Sequence, residues 1–338
     1  MMTLEDRIRA LETLGHHLLG KDEYLEAIVK RTAFHNGWFT EAHQQQALNA
    51  IARDFLDREK LERWLSAYGI EDGAPKTVGL VFAGNIPLVG FHDWLCVFAA
   101  GHRAQVKLSE KDPYLFPYLM RVLEKIDHRS ASLTQIVDRL DSFDAVIATG
   151  SNNSARYFEA YFGAYPHIIR KNRNGVGVLT GAESREELMS LGKDIFQYYG
   201  LGCRNVSKLY VPEQYDFDPL LEVLYEYREV VRNNKYKNNF DYNYALYVLN
   251  RLPFKANGCI LLTKDTALQS RIACLHYEPY AEVQTVAHSI AAHQEAIQCI
   301  VAQPGLLEQP TFDFGQAQQP QLWDYADGED TLEFLSCL

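Results

Sequence analysis

A chain of 338 residues is long enough to bury a sizeable core and predicts one large domain or two ordinary ones. Its 47% hydrophobic and 23% charged residues are ordinary for a soluble globular protein. The formal net charge of −11 argues against a nucleic-acid-binding protein, in which basic residues normally predominate, but it leaves room for local basic pockets that bind phosphate.

The six cysteines are scattered, and none forms a CxxC pair or a metal-ligand spacing. We therefore expect free thiols in a reducing compartment and no metal site. The first ten residues lack the apolar region of a signal peptide, and no apolar run reaches the roughly 18 residues that a membrane span needs. These features predict a cytoplasmic protein without integral membrane association.

The N-terminal part of the chain is predicted to be helical. Over residues 3–70, apolar side chains recur at helical spacing, beginning with Leu4, Ile8, Leu11 and Leu14. We expect residues 1–76 to form a helical segment that packs on the body of the protein or covers a substrate entrance.

From residue 77 onward, strands and helices alternate. Strands are predicted at 77–83, 104–107, 135–137, 145–148 and 167–170, and helices at 89–100, 113–126 and 151–162. Such alternation with short connections implies a parallel sheet covered on both faces, which is the architecture of a dinucleotide-binding domain. We assign this domain to residues 77–175.

The usual GxGxxG fingerprint does not follow the first strand. Instead, Gly150 and Ser151 end a strand and open a helix. Ser151 can cap that helix, and the backbone N–H groups there could bind phosphate. An ordinary helix cap is the alternative interpretation.

One cysteine has the sequence context of a reactive thiol. A helix predicted at 186–199 is followed by Gly200-Leu201-Gly202-Cys203, a polar turn and an apolar run at 209–211. Cys203 therefore lies in a glycine-bracketed loop near Arg204 and Lys208. Cations and exposed backbone N–H groups favour the thiolate, which is the nucleophile. The alternative is a small apolar residue in a turn.

Four segments, taken in order, resemble the aldehyde dehydrogenase superfamily. They are Asn85-Ile86-Pro87, Lys107-Leu108-Ser109, Gly150-Ser151 and the cysteine segment from Gly200 to Val211, in which Ser207-Lys208 stands where the superfamily has Ser-Arg. The resemblance implies that Cys203 is the nucleophile. It also implies that the Asn85 side chain and the Cys203 backbone N–H stabilise the oxyanion.

The same resemblance implies a set of cofactor contacts. Lys107 would bind the cofactor ribose, with Ser109 and Glu110 beside it, and Gly150 and Ser151 would approach the cofactor. Near the C-terminus, Phe314-Gly315-Gln316 resembles the superfamily's Pro-Phe-Gly segment, where the chain returns to the cofactor side. We therefore assign Phe314 to the cofactor site, residues from about 310 to 338 to the nucleotide-binding domain, and residues 176–309 to an α/β catalytic domain.

Hydrolytic members of the superfamily carry a Glu-Leu-Gly-Gly-Lys segment whose glutamate activates water. This chain has no glutamate in the corresponding segment, and the next one is Glu183. Arg170, Lys171 and Arg173 lie there instead. They could meet the phosphates of a nucleotide or of coenzyme A, or form a solvated turn.

The missing base indicates an acylating, CoA-linked member, and from residue 77 to the C-terminus the chain looks most like the long-chain acyl-CoA reductase family (LuxC-type). The implied activity is reduction of a fatty acyl-CoA, or another acyl thioester, to the aldehyde with NADPH or NADH through an acyl-cysteine intermediate. The alternatives are a cysteine-dependent thioester hydrolase or acyltransferase, an aldehyde dehydrogenase working in the oxidative direction, and a non-catalytic acyl-binding subunit.

The rest of the chain predicts further α/β elements. Helices are expected at 219–231, with Asp218 as N-cap, at 241–250 and at 282–293. Residues 233–243 are expected to be an exposed connection or a substrate-lining loop. Residues 323–335 could be a terminal packing element or the contact of a homo-oligomer.

Overall fold

The computed structural model describes residues 2–70 and 73–338. They divide into two compact units, of which the first comprises Met1–Asn172 with Pro320–Leu338 and the second Arg173–Gln319. The division falls close to the predicted boundary at residue 175. It differs from the prediction near the C-terminus, because residues 310–319 belong to the second unit.

The first unit begins with four helices and a π-helical turn at Ile51–Phe55. The helices are α1 (Leu4–Leu19), α2 (Glu23–His35), α3 (Glu41–Ala50) and α4 (Arg58–Leu65). Thr3 and Asp6 form a reciprocal capping box that fixes the start of α1. The apolar spacing along α1 buries Leu11 and Leu14 completely, in the same core as the sheet that follows.

A parallel five-stranded sheet forms the centre of this unit. Its strand order is β3-β2-β1-β4-β5. The elements are β1 (Thr77–Val81), α5 (Phe91–Ala99), β2 (Arg103–Lys107), α6 (Leu115–Ile126), β3 (Thr134–Ile136), β4 (Ala145–Thr149), α7 (Asn152–Phe162) and β5 (His167–Arg170). The chain winds outward in both directions from β1 and β4, so the order of connection reverses between these two strands. Ligands of open α/β sheets bind at such a reversal, outside the carboxyl ends of the strands.

The second unit contains a six-stranded mixed sheet ordered β11-β6-β7-β10-β9-β8. Its strands are β6 (Asn174–Val178), β7 (Val206–Pro212), β8 (Lys255–Ala256), β9 (Leu261–Lys264), β10 (Cys274–Tyr280) and β11 (Ile297–Ala302). Only the short β8 pairs antiparallel, against β9. The helices of this unit are α8 (Arg185–Phe196), α9 (Asp218–Leu224), α10 (Asn234–Leu249) and α11 (Val283–Ala292).

The prediction of a connection at residues 233–243 is wrong, because α10 covers most of this stretch. The Asn233 side chain caps the helix by accepting from the backbone N–H groups of Lys235 and Tyr236. Tyr236, Phe240 and Tyr247 recur at helical spacing and are buried. Helix-disfavouring asparagines and tyrosines on the exposed face hide this spacing in the sequence.

The prediction of Asp218 as an N-cap is also wrong. Asp218 is the first residue of α9, and the preceding Phe217 provides no side-chain cap. The helix then tightens into a 3₁₀ segment, Tyr225–Arg232, which ends at the capping residue of α10. The last helix of the chain, α12 (Thr331–Ser336), returns to the first unit and buries Leu332 and Leu335 in its core.

Among the helices formed by residues 2–70 and 73–338, none combines the length and the apolar character that crossing a bilayer requires.

Candidate active site

In the first unit, three predicted motifs leave the sheet side by side at its carboxyl edge. Val81 at the end of β1 pairs with Lys107 in β2 and with Ala148 in β4. Asn85 follows β1, Ser109 and Glu110 follow β2, and Gly150 and Ser151 follow β4. Six of the predicted site residues therefore meet along the edge where the strand order reverses.

The turn that carries Asn85 lies against the segment that carries Ser109. A Cβ atom on Gly84 would lie only 2.3 Å from Ser109 Oγ and 2.9 Å from Lys111 Cβ. Glycine is therefore required at position 84 by this close approach. The contact ties the Asn85 turn to the Lys107-Leu108-Ser109 motif.

A buried carboxylate also supports the Asn85 turn. Asp112 Oδ2 accepts a hydrogen bond of 2.8 Å from the backbone N–H of Leu88, a residue held in the left-handed conformation at φ 55°. Asp112 is 7% exposed, and burial raises the pKa of its carboxyl group to about 6. Asp112 thus fixes the backbone three residues after Asn85.

The two charged residues at this edge remain exposed. Lys107 Nζ donates to the carbonyl oxygen of Asp138 at 2.8 Å, and the backbone carbonyl of Glu110 accepts from His35 Nε2 at 2.7 Å. The second contact joins the end of α2 to the loop after β2. A lysine ammonium at this edge can bind a hydroxyl or phosphate oxygen of a ligand.

Ser151 caps α7, as predicted. Its hydroxyl accepts from the backbone N–H of Ser154 at 3.2 Å, and its side chain is exposed. A Cβ on Gly150 would meet Ser154 Cβ at 2.8 Å and Phe158 Cε2 at 2.9 Å. The absence of a side chain at residue 150 therefore lets the first turn of α7 approach the end of β4.

In the second unit, Cys203 occupies a tight turn between α8 and β7. The backbone N–H of Asn205 donates to the carbonyl oxygen of Gly202 at 3.1 Å, which closes the turn around Cys203. Just before it, Tyr198, Tyr199 and Gly200 all adopt left-handed backbone conformations, with φ between 51° and 76°. Each left-handed non-glycine residue costs about 1–2 kcal/mol, and such strain is concentrated at functional sites.

Asn205 fixes this turn with both ends of its amide group. Its Nδ2 donates to the carbonyl oxygens of Asp194, Ile195 and Gln197 at the end of α8, at 2.9–3.3 Å. Its Oδ1 accepts from the Gly202 N–H at 2.8 Å. One buried side chain therefore satisfies the helix end and sets the position of the residue before Cys203.

Phe314 lies in the second unit, which differs from the predicted placement of residues 310–338 with the nucleotide-binding domain. The Asp194 carboxylate accepts from the backbone N–H groups of Gly315 at 2.6 Å and Ala317 at 3.0 Å. Asp194 is 1% exposed, and burial raises the pKa of its carboxyl group to about 6. Because Asn205 bonds the Asp194 carbonyl, the turn after Phe314 and the Cys203 turn share one anchor.

The cations near Cys203 in sequence have partners of their own. Lys208 is buried in β7, where its ammonium lies 2.5 Å from Glu278 Oε2 and 2.7 Å from the carbonyl oxygen of Thr266. The Arg204 guanidinium lies over the Phe312 ring, 5.2 Å from its centre. Lys208 therefore stabilises the sheet, and Arg204 is the cation that remains next to the thiol in the chain.

The six free thiols, all in the described part of the chain, differ in environment. Burial raises the pKa values of four of them, to about 11 at Cys274, to about 12 at Cys259 and Cys299, and well above the usual value at Cys96. Cys203 is partly exposed, and Cys337 lies exposed near the C-terminus. A buried thiol with a raised pKa is a poor nucleophile at neutral pH.

The Arg170 side chain is bound within the protein, contrary to the interpretation that it meets the phosphates of a nucleotide or of coenzyme A. It is 3% exposed, and its guanidinium donates to Asp93 Oδ1 at 2.9 Å, to Thr331 Oγ1 at 2.8 Å and to the carbonyl oxygen of Ala326. Lys171 is exposed, 3.8 Å from a Glu159 carboxylate oxygen. Arg170 therefore holds the C-terminal segment in the first unit.

Glu183 stands at the opposite edge of the second sheet from Cys203. It follows the carboxyl end of β6, whereas Cys203 precedes the amino end of the parallel neighbour β7. The paired residues of β6 and β7 extend over about 10–13 Å at roughly 3.3 Å per residue. The Glu183 carboxylate also accepts from the backbone N–H groups of Thr180 and Gly181. It stabilises a turn far from the thiol.

Sequence reasoning missed Asp112, Asp194 and Asn205. A signal existed for Asn205, since an asparagine two residues after a candidate nucleophile can bond its own turn. The contacts of the other two join segments distant in the chain, so no local pattern indicates them.

The chain resembles solved structures over most of its length. The oxidoreductase from Marinobacter aquaeolei matches with a TM-score of 0.67 and 13% identity, covering 89% of this chain and 73% of that one. An aldehyde dehydrogenase from Bacillus cereus, solved as an NAD⁺ complex, matches at 0.65 and 13%, covering 89% and 72%. An NAD-dependent aldehyde dehydrogenase from Sinorhizobium meliloti matches at 0.68 and 11%, covering 89% and 70%.

No protein-family model matches the sequence, and no curated protein matches it either. At 11–13% identity, the structural similarity establishes the fold. The chain has the predicted aldehyde-dehydrogenase-like α/β fold, with one parallel and one mixed sheet.

Proposed function

We propose that this chain is a thiol-dependent oxidoreductase of the aldehyde dehydrogenase type, and more specifically an acyl-CoA reductase. Its substrate would be a fatty acyl-CoA or another acyl thioester, and its product the aldehyde. The preference for long acyl chains follows from the sequence resemblance alone, and the reductant would be NADPH or NADH. The alternatives remain a thioester hydrolase or acyltransferase and a non-catalytic acyl-binding subunit.

The observation that carries the proposal is the environment of Cys203. Its thiol is partly exposed in a strained turn that Asn205 holds in place, whereas four other thiols are buried with raised pKa values. The Cys203 thiolate would attack the thioester carbonyl carbon. As the tetrahedral intermediate collapses, the bond to the CoA sulfur breaks, leaving an acyl-Cys203 thioester and the CoA thiolate. The Asn85 amide would donate to the oxyanion.

The carboxyl edge of the first sheet fits a nicotinamide dinucleotide. Lys107 and Ser151 are exposed there, and α7 presents its N-terminus, which favours phosphate. Lys107 would hold ribose hydroxyls, and Gly150 would let the cofactor approach the backbone. Bound NAD(P)H supplies the hydride that reduces the acyl-Cys203 carbonyl carbon. The thiohemiacetal then releases the aldehyde and returns Cys203 to the thiolate.

Reduction is favoured over hydrolysis because this chain has no glutamate in the segment where hydrolytic relatives carry the base that activates water. The segment 170–174 contains no carboxylate, and Glu183 is committed to a turn at the other edge of its sheet. Amides and protonated arginines cannot take a proton from water at neutral pH. We therefore expect the acyl-Cys203 thioester to persist until reduced cofactor binds.

Intact-protein mass spectrometry tests the proposal. Mixing the protein with a fatty acyl-CoA alone should add the mass of one acyl group and release CoA. A subsequent chase with NADPH or NADH should remove that mass and produce aldehyde. Formation of free fatty acid at the same rate with and without cofactor would refute the reductase and favour the hydrolase. Stable acylation without any reduction by either cofactor would favour the acyltransferase.

A further inference from the structure

A glutamine side chain lies against the turn that carries Cys203. Gln318 Nε2 is 3.4 Å, and its Oε1 3.6 Å, from the position that a Cβ atom on Gly202 would occupy. Asn205 Oδ1 lies 2.9 Å from the same position. Gln318 and Asn205 therefore contact the residue before the nucleophile together.

Gln318 reaches this position through the anchor at Asp194. The Asp194 carboxylate binds the N–H groups of Gly315 and Ala317, so the residue immediately before Gln318 is fixed. Ala317 itself is fully buried. The Gln318 side chain therefore starts from a backbone held by the same residue that supports the Cys203 turn.

The Gln318 amide nitrogen is shielded from solvent and has no hydrogen-bond partner among the described residues. A buried donor without an acceptor costs about 1–3 kcal/mol, and such groups in native proteins require an explanation. A substrate atom that becomes its acceptor would provide one.

The distances allow that acceptor to be an acyl group on Cys203. Consecutive Cα atoms are about 3.8 Å apart, so Gln318 Nε2 lies within about 9 Å of the Cys203 Cα. The Cys203 side chain, an attached carbonyl and one hydrogen bond together span such a distance.

We propose that the Gln318 amide N–H donates to the carbonyl oxygen of the acyl group that is transferred to Cys203. Gln318 is then an oxyanion donor on the same unit as the nucleophile. An amide suits this task because it donates at every pH and carries no charge of its own. The inference rests on the proposed function, since it requires that Cys203 be acylated.

The test compares two reactions of the same thiol. Gln318→Leu removes the donor and keeps an apolar side chain of similar size, and Gln316→Leu, at an exposed neighbouring glutamine, is the matched control. Single-turnover acylation by a fatty acyl-CoA should fall about a hundredfold in Q318L, which is typical for loss of one oxyanion donor, and remain unchanged in Q316L. Alkylation of Cys203 by iodoacetamide creates no oxyanion and should keep its wild-type rate.

Acylation of Q318L at the wild-type rate would refute the role of Gln318. An equal fall in acylation and alkylation would also refute it, because Gln318 would then only shape the turn or the thiol. A wild-type protein that is alkylated but never acylated would refute the proposed function itself, and with it this inference.

Discussion

At the scale of single residues, Cys203 is distinguished from the buried cysteines by its exposure. Cys203→Ala should abolish the formation of a covalent acyl-enzyme, because a thiol with a pKa raised to 11 or 12 by burial supplies little thiolate. Incubation with radiolabelled acyl-CoA should label the wild type and leave the variant blank. Cys337→Ala, which removes an exposed thiol, is the control and should be labelled normally. Equal labelling of the Cys203 variant would place the nucleophile elsewhere.

Asn85 is the second residue whose role can be measured directly. Asn85→Ala should lower the rate of acylation by roughly a hundredfold, the loss expected for one oxyanion donor. The affinity for acyl-CoA should change little, because the donor acts on charge that develops only in the transition state. Rapid-mixing experiments at several acyl-CoA concentrations separate the two quantities. Acylation of the variant at the wild-type rate would show that Asn85 only shapes the turn and does not stabilise the oxyanion.

At the scale of elements, α8 connects the Cys203 turn with the turn after Phe314 through Asp194. Burial raises the pKa of this carboxyl group from 3.8 to about 6. The folded protein therefore binds this proton more tightly than the unfolded chain does. The contribution to stability is complete below pH 3.8 and is lost as the pH rises through about 6. A shift of about two pKa units corresponds to about 3 kcal/mol.

Asp194→Asn removes this titration and should change the pH dependence of stability. The variant should be less stable than the wild type at pH 4, because both oxygens of the protonated carboxyl group can accept a hydrogen bond, whereas the amide offers one acceptor oxygen to the N–H groups of Gly315 and Ala317. Between pH 4 and pH 7, the difference in unfolding free energy should move by about 2–3 kcal/mol in favour of the variant. Urea unfolding at both pH values measures it, with Asp313→Asn at an exposed position as control. A difference independent of pH would contradict the assignment.

Local patterns predicted most elements but not their ends or their partners. Apolar spacing identified α1, α5 and α6, and the alternation of strands identified the parallel sheet. Apolar spacing identified only the second half of α10, because the buried Tyr236, Phe240 and Tyr247 are separated by residues with poor helix propensity. The predicted helix at 186–199 ends earlier, at Phe196, because Tyr198 and Tyr199 adopt left-handed conformations that no propensity predicts.

At the scale of the whole molecule, the sequence indicated that three motifs lie together at one edge of the first sheet. Each motif follows a strand, and parallel strands have their carboxyl ends at the same edge. The strand order, however, depends on crossover connections between distant segments, which periodicity does not record. The location of Phe314 and the burial of Arg170 depend on the contacts of Asp194 and Asp93, far away in the chain. Motif resemblance therefore identified candidate residues, and tertiary packing decided which of them lie exposed at the edge of the sheet and which are buried.

The position of Arg170 yields the last prediction, which concerns the closure of the first unit by its C-terminal segment. Arg170→Met leaves the Asp93 carboxylate as a buried charge without its guanidinium partner, and it removes the bonds to Ala326 and Thr331. Breaking a buried ion pair on one side costs about 3–5 kcal/mol, so the urea midpoint should fall sharply. Lys171→Met, at the exposed neighbour, should leave the free energy of unfolding within about 0.5 kcal/mol of the wild-type value.

The double variant Asp93→Leu/Arg170→Met separates the cost of the unpaired Asp93 charge from the cost of the lost Arg170 contacts. It removes both members of the pair, so it should recover part of the stability lost in Arg170→Met. If Arg170 instead bound a phosphate, the single variant would keep the wild-type midpoint and lose affinity for NADPH or acyl-CoA. We expect the loss of stability and not the loss of ligand affinity. The carbonyl, hydroxyl and carboxylate partners of Arg170 already occupy both terminal nitrogens of its guanidinium group.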